Sequence, residues 1–82
     1  MDTTQEEVIQ IVSRIAKVSP SRILPRTDLR VDLNVDSLQG LQIVAAIEKH
    51  FEIKIPDEEL DSHATVDEIV SNIHRLREPA GG

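Results

Sequence analysis

The chain has 82 residues, and its 15 acidic and 9 basic side chains give a formal net charge of −6 at pH 7. This length predicts one small domain, and its core must be built from branched aliphatic residues because the chain has no Trp or Tyr and a single Phe. The negative charge argues against a nucleic-acid partner, and the lack of cysteine excludes disulfides, cysteine-based zinc sites and thiol catalysis. The longest apolar run is far too short to span a membrane, and the polar N-terminus is unlike a secretory signal. We therefore expect a cytoplasmic monomer without membrane insertion.

A first helix and a long loop are predicted for the N-terminal part of the chain. Residues 4–7 have the pattern of a capping box with Thr4 as the N-cap, and aliphatic residues then recur at helical spacing until Ser19-Pro20. Residues 18–36 show no sustained period, but their scattered aliphatic side chains favour an ordered loop over disorder. We expect this loop to cross one end of a helical bundle.

A second helix is predicted over residues 37–51. Apolar residues cover more than half of its circumference, which predicts a central, well-buried helix. Asp36 stands at the N-cap position, so the hydroxyl of Ser37 lies in the first turn, beside N–H groups that have no partner within the helix. Such a helix N-terminus favours a phosphate group. Gly40 costs this helix about 1 kcal/mol relative to alanine, and we expect it to allow close packing against the loop.

The remaining residues predict an extended link and two more helices. Residues 53–55 alternate like a strand but lack a partner strand, so they are interpreted as a link whose isoleucines enter the core. A short helix is expected at about 57–62, and Thr65 opens a capping box for the last helix. The predicted fold class is all-α, a four-helix bundle with three main helices, a short third helix and a long ordered loop between the first two. Residues 1–78 would form this domain and residues 79–82 a flexible tail.

Ser37 lacks the neighbours that a catalytic serine needs. His50 lies further along the same helix, about 20 Å away at 1.5 Å per residue, and His63 and His74 belong to other segments. The sequence contains no nucleophile elbow, phosphate-binding glycine loop or calcium loop. Ser37 is therefore predicted to be a residue on which another enzyme acts.

Residues 32–38, Asp-Leu-Asn-Val-Asp-Ser-Leu, resemble the attachment motif of acyl carrier proteins, which is roughly Asp-Leu-Gly-x-Asp-Ser-Leu. The likeness continues in register at residues 23–25, 27–29, 48–51, 53–58 and 65–66. It covers residues 4–77, nearly the whole chain. Asp-Ser-Leu alone is a weak signal, but together with this length, charge and order of helices it becomes strong.

The resemblance implies that a phosphopantetheinyl transferase attaches 4′-phosphopantetheine from coenzyme A to Ser37. The thiol of this arm would carry acyl groups as thioesters between enzymes of fatty acid, lipid or polyketide-type biosynthesis. Asp36 would assist recognition and metal-dependent transfer in the transferase complex, and Leu38 completes the motif. The other implied partners are acyl-transfer enzymes, ketosynthases and acyl ligases. The protein would be a carrier and not an enzyme.

The resemblance also implies two sets of binding residues. Partner enzymes would dock on Gln39, Gln42, Glu48, Asp57 and Glu58. The acyl chain would be sheathed by residues among Leu41, Ala45, Ile55, Leu60, His63 and Ile69. The aliphatic members of this second set are also expected to be core residues, and Leu38 is expected to lie at both core and rim.

The sequence departs from the family pattern at a few positions. Asn34 stands where the family usually has glycine, and asparagine tolerates the positive φ that such a turn requires. Gln39 and Gln42 replace acids that meet basic partners in typical fatty-acid carriers, which favours a specialised pathway. Leu60 would narrow the acyl pocket. His63 would either place a titratable group near the arm or, in the interpretation we prefer, be an exposed residue at a helix end.

Three other interpretations stay open at this stage. The chain is also compatible with an aminoacyl or peptidyl-type carrier, and with a helical interaction module that has no prosthetic group. A third class of carrier uses the C-terminal carboxylate after a pair of glycines, as in Gly81-Gly82. Such carriers have a strand-rich fold, which the four helix signals oppose.

Overall fold

The computed structural model describes residues 3–55 and 65–77. The helices in these ranges are α1 (Thr4–Ala16), a 3₁₀ helix (Pro20–Arg22), α2 (Ser37–Phe51) and α3 (Val66–Arg77). Within the same ranges there is no strand, only an isolated antiparallel bridge between Asp28 and Thr65. None of these helices combines the length and hydropathy that a membrane span requires. The predicted all-helical class is confirmed, whereas the complete four-helix bundle is not, because the short helix predicted at 57–62 lies outside the described residues.

α1 begins one residue earlier than its capping pattern predicts. Thr3 is the N-cap, since its carbonyl accepts the Glu7 N–H at 2.9 Å and its hydroxyl donates to the Glu7 carboxylate at 3.3 Å. Thr4 is instead the first helical residue and is buried, so the prediction of Thr4 as the N-cap is wrong. α1 ends at Ala16 because Lys17 takes a left-handed conformation with φ of 62°, which closes the last turn.

The apolar core lies between the three helices and the segment that joins α1 to α2. Its buried members are Val8, Ile11 and Val12 of α1, Ile43 and Ile47 of α2, Val66 and Ile73 of α3, and Ile23, Leu29 and Val35 of the joining segment. Only two side chains of α2 are buried apolar residues, so the prediction of a well-buried central helix is wrong. Leu38 and Leu41 are exposed by 65% and 58%, and Ala45 is exposed as well. α2 thus buries one side against the core and keeps apolar residues at the surface on its other side.

The link that follows α2 agrees with the prediction that the isoleucines of residues 53–55 enter the core. Ile53 and Ile55 are half-buried and pack against the core. The carboxylate of Glu48 accepts the Ile55 N–H at 2.7 Å, which ties the link back to α2. Gly40, by contrast, does not serve close packing, because a Cβ built there would meet no neighbouring atom within 4 Å.

The segment between α1 and α2 is fastened to the first turn of α3 by backbone hydrogen bonds. The Val66 N–H donates to the Thr27 carbonyl at 3.2 Å, and the Asp67 N–H donates to the Pro25 carbonyl at 2.9 Å. Both donors belong to the first turn of a helix, where N–H groups have no partner within the helix. The joining segment therefore caps α3 while α3 holds that segment in place.

The capping box predicted at Thr65 is confirmed. The Glu68 N–H donates to the Thr65 hydroxyl at 3.2 Å, and the Thr65 N–H donates to the Glu68 carboxylate at 3.1 Å. This exchange satisfies a third N–H of the first turn and fixes where α3 begins.

Candidate functional site

The chain enters α2 through one left-handed residue and one buried side chain. Asn34 has φ of 60°, in agreement with the expectation that asparagine serves the turn in place of glycine, and its N–H donates to the Arg30 carbonyl at 3.1 Å. Val35 is buried, and its N–H donates to the Leu29 carbonyl at 3.0 Å. These contacts fix the direction in which the backbone reaches the helix.

Two carboxylates organise the turn upstream of this point. Asp28 Oδ1 accepts the N–H groups of Arg30 and Val31, both at 2.9 Å. Asp32 Oδ2 accepts the Asp28 N–H at 2.8 Å. Side-chain oxygens thus replace the backbone acceptors that regular secondary structure would supply. The segment holds its shape without forming a helix or a strand.

Asp36 and Gln39 form a reciprocal cap at the start of α2. Asp36 Oδ1 accepts the Gln39 N–H at 2.8 Å, and Gln39 Oε1 accepts the Asp36 N–H at 3.4 Å. The Asp36 carbonyl accepts the Gly40 N–H at 2.8 Å, which is the first hydrogen bond of the helix. The predicted N-cap role of Asp36 is confirmed. Gln39 has a structural role that was not predicted, although Asp-x-x-Gln is itself a capping pattern.

Ser37 is the first residue of α2, and its side chain is exposed. The cap uses the Gln39 N–H and the first helical bond uses the Gly40 N–H, so the N–H groups of Ser37 and Leu38 have no acceptor in the described structure. A phosphate ester on the Ser37 hydroxyl would lie beside these free donors and at the positive end of the helix dipole. The residues present therefore fit a phosphodiester on this side chain.

The described residues place no histidine beside Ser37. His50 lies near the opposite end of α2, where its Nε2 is 2.6 Å from Glu7 Oε1 on α1. The hydrogen bond to His50 is the main cause that lowers the pKa of Glu7 below its ordinary value. The His50 ring also meets Phe51 edge-on at 4.8 Å between centroids, and the Arg77 guanidinium lies 5.7 Å from the centre of the Phe51 ring. His50 thus joins helices and does not act on Ser37.

Comparisons with known proteins agree with this geometry. The family described as phosphopantetheine attachment site matches residues 6–73. The meromycolate extension acyl carrier protein of Mycobacterium tuberculosis (strain ATCC 25618 / H37Rv) is 37% identical, over 95% of this chain and 71% of its own length. The chain belongs to the acyl carrier protein family.

Other relatives support the same assignment. The acyl carrier protein of Thermosynechococcus vestitus is 35% identical over 84% of this carrier and 85% of its own length. The mitochondrial acyl carrier protein 2 of Arabidopsis thaliana is 36% identical over 76% of this carrier and 49% of its own length. As a member of this family the protein is a carrier and not a catalyst, and its prosthetic group is 4′-phosphopantetheine.

The docking residues predicted on α2 of this carrier differ in their surroundings. Gln42 is exposed, whereas Gln39 is half-buried and engaged in the cap. Glu48 is half-buried, and its carboxylate holds the Ile55 N–H. The structure therefore leaves Gln42 the most accessible of the three side chains. The other predicted docking residues, Asp57 and Glu58, lie outside the described residues.

The four predicted acyl-pocket residues that the structure describes differ in exposure. Leu41 and Ala45 are exposed, so the expectation that they are core residues is wrong, while Ile55 and Ile69 are half-buried against the core. Leu38 is likewise a surface residue and not a core residue. The predicted pocket residues Leu60 and His63 lie outside the described residues. A role in sheathing the acyl chain stays a prediction for all six.

Proposed function

We propose that Ser37 is the residue to which 4′-phosphopantetheine is attached, and that the arm carries acyl groups as thioesters between biosynthetic enzymes. The observation that carries this proposal is the exposed Ser37 hydroxyl on the first residue of a capped helix, next to N–H groups without acceptors. Ser37 also stands in the Asp-Ser-Leu motif, inside the range that the family matches.

The residues around Ser37 position its hydroxyl and leave the chemistry to the partner enzyme. When bound, the prosthetic group supplies the thiol that this cysteine-free chain lacks. Asp36 keeps a carboxylate beside Ser37, where it would assist recognition and metal-dependent transfer in the complex with the transferase. Its Oδ1 accepts the Gln39 N–H, so the carboxylate is held in place before the transferase arrives. Ser37 needs no base of its own because the transferase supplies the catalysis.

The proposed cargo is an acyl group and not an aminoacyl group. All the relatives compared above are named acyl carrier proteins, which supports this choice. One of them is named for meromycolate extension, and together with Gln39 and Gln42 this supports a dedicated pathway over a general fatty-acid synthase. The proposed partners are a phosphopantetheinyl transferase, acyl-transfer enzymes, ketosynthases and acyl ligases. We also propose a cytoplasmic location, which cell fractionation would check.

The attachment site is tested by intact mass measured before and after incubation with coenzyme A, magnesium and a broad-specificity phosphopantetheinyl transferase. Wild type, Ser37→Ala and Ser71→Ala are compared, because Ser71 is an exposed serine on α3 and serves as a matched control. Wild type and Ser71→Ala should each gain one phosphopantetheine, and Ser37→Ala should gain none. Addition to Ser37→Ala, or no addition to folded wild type, would contradict the assignment.

The class of cargo is tested on the loaded protein. An acyl ligase and an aminoacyl-activating enzyme are each offered the holo-carrier with their own substrates, and the thioesters are measured by mass. Acylation by the ligase with little aminoacylation is the expected result. Preferential aminoacylation would instead support the aminoacyl-type carrier.

A further inference from the structure

Gly40 is the one position of α2 that has no side chain, and the fold alone does not explain it. Close packing does not require the glycine, because a Cβ built there would meet no neighbouring atom within 4 Å. A left-handed backbone does not require it either, since Gly40 is helical and its N–H donates to the Asp36 carbonyl at 2.8 Å. Glycine inside a helix is less favourable than almost any other residue. A reason for its presence must therefore lie outside the packing of α2.

Gly40 lies one helical turn beyond Ser37, on the same side of α2. Residues three and four apart are neighbours on a helix surface, so Ser37, Gly40 and Val44 form one row, which we call the serine row. Ser37 is exposed, whereas Gly40 and Val44 are half-buried. On one side of the row, Ile43 and Ile47 are buried in the core. The serine row thus follows the border between the exposed and the buried side of α2.

A side chain at position 40 would cover the surface next to the Ser37 hydroxyl. Helical side chains point back towards the N-terminus and cover the turn that precedes their own Cα, and for residue 40 this turn contains Ser37. Glycine leaves that surface open. Leu41 is the other neighbour of Ser37 one turn further on, and its side chain, 58% exposed, gives the open surface an apolar edge. A group attached to the Ser37 oxygen can therefore lie directly on the helix.

We propose that Gly40 is a positioning residue for the prosthetic group, because it leaves the serine row bare for the first part of the 4′-phosphopantetheine arm. This proposal rests on the attachment of the arm at Ser37. Beyond its phosphodiester the arm has a carbon with two methyl groups, which suits the apolar side chains of Leu41 and Val44. A larger residue at position 40 would hold this part of the arm away from the helix.

The proposal predicts opposite contributions of a side chain at position 40 in the two states of the carrier. In the unloaded protein, alanine or leucine in place of Gly40 should only stabilise α2, because both are better helix formers than glycine. In the loaded protein the same side chain would occupy the surface that the arm uses, and the contacts between arm and helix would be lost. Substitution of Gly40 should therefore stabilise the unloaded protein more than the loaded one.

The first test follows the serine row by NMR before and after loading. Intact mass first verifies one phosphopantetheine at Ser37, so a failure of attachment is distinct from a failure of this proposal. Val44 lies seven residues beyond Ser37, about 10 Å along the helix axis, so the new phosphoester bond alone does not reach it. Loading of wild type should shift the amide and methyl resonances of Val44, and Gly40→Leu should reduce this shift about threefold or more. Gln42→Leu adds the same side chain at an exposed position about 140° around the helix from Ser37 and should keep the wild-type shift.

The second test compares the thermal unfolding of the unloaded and loaded proteins. Gly40→Leu should raise the melting temperature of the unloaded protein by about 3–8 °C and that of the loaded protein by less than half as much. Gly40→Ala adds a single methyl group and should show the same difference at smaller size, and it decides the outcome if Gly40→Leu does not fold. Three results would each overturn the proposal: no shift of Val44 when wild type is loaded, the same shift in Gly40→Leu as in wild type, or equal gains in melting temperature with and without the arm.

Discussion

The cap at the start of α2 allows two roles of Asp36 to be separated by two substitutions. Asparagine caps a helix as well as aspartate does, so Asp36→Asn keeps an acceptor for the Gln39 N–H but removes the negative charge. Asp36→Ala removes both the acceptor and the charge. We expect the stability of the helix to depend on the acceptor, and the rate at which Ser37 is loaded to depend on the charge.

The size of the first effect follows from the hydrogen bond at 2.8 Å between Asp36 Oδ1 and the Gln39 N–H. Loss of an N-cap acceptor costs about 1 kcal/mol, which lowers the melting temperature of a domain of this size by about 4–8 °C. A domain stable by about 5 kcal/mol would still have about 1,000 folded molecules for each unfolded one after this loss. Unfolding therefore cannot explain a large fall in loading by Asp36→Ala.

The size of the second effect follows from the carboxylate itself. A hydrogen bond to a charged group contributes about 1.5–3 kcal/mol, so both substitutions should lower the kcat/KM of the transferase about 10- to 100-fold. The assay measures loading by intact mass at several carrier concentrations, and thermal unfolding of the same samples by circular dichroism. Asp36→Asn should thus leave the melting temperature unchanged and lower the rate at which Ser37 is loaded.

Two results would refute this reasoning. Full loading of Asp36→Asn would show that the carboxylate has no part in transfer and that Asp36 serves only as a cap. An equal loss of stability in Asp36→Asn and Asp36→Ala would show that the charge, and not the acceptor, stabilises the first turn of α2.

The remaining predictions concern stability. Ile43→Ala should lower the free energy of unfolding by about 2–5 kcal/mol because Ile43 is fully buried, and Leu41→Ala on the exposed side of α2 should change it by less than about 0.5 kcal/mol. Urea unfolding measures the free energy of both variants. Equal losses would contradict the assignment of Ile43 to the buried side of α2 and of Leu41 to its exposed side. Gly40→Ala should raise the same free energy by up to about 1 kcal/mol, since a Cβ finds open space there, and a loss would reveal a contact. The lowered pKa of Glu7 means that its pairing with His50 stabilises the fold above pH 4.5 and is lost as the pH falls through the folded-state pKa. Glu7→Gln should therefore lose less stability on acidification than wild type does. Free energies of unfolding that fall in parallel for the two proteins from pH 7 to pH 3 would contradict this prediction.

The parts of the fold that were predictable depend on local signals. The start of α2 and the N-cap role of Asp36 follow from an acid before an apolar run, and the start of α3 follows from the Thr65 capping box. The left-handed Asn34 was predictable as well, because few residues tolerate that conformation. The N-cap of α1 was assigned to Thr4 instead of Thr3, and this error also concerns a local signal. Two adjacent threonines offer equivalent caps.

The other errors come from interactions between distant parts of the chain. Apolar residues surround most of α2, so its pattern does not say that Ile43 faces the core and Leu41 faces water. That choice depends on where α1 and α3 pack. Val35 was missed as an anchor of the site, although a single aliphatic residue between two polar ones was a usable signal. The cap role of Gln39 was missed because its side chain was considered only for docking.

The bonds that join the carbonyls of Pro25 and Thr27 to the first amides of α3 have a consequence for synthesis of the protein. The ribosome adds Val66 and Asp67 after Ser37, so these hydrogen bonds cannot form while the chain ends before Val66. Until then the segment that precedes Ser37 lacks its attachment to α3. We expect chains stalled before Val66 to be loaded slowly and chains stalled beyond α3 to be loaded at the full rate. The carrier would then receive its arm as a finished protein and not during translation.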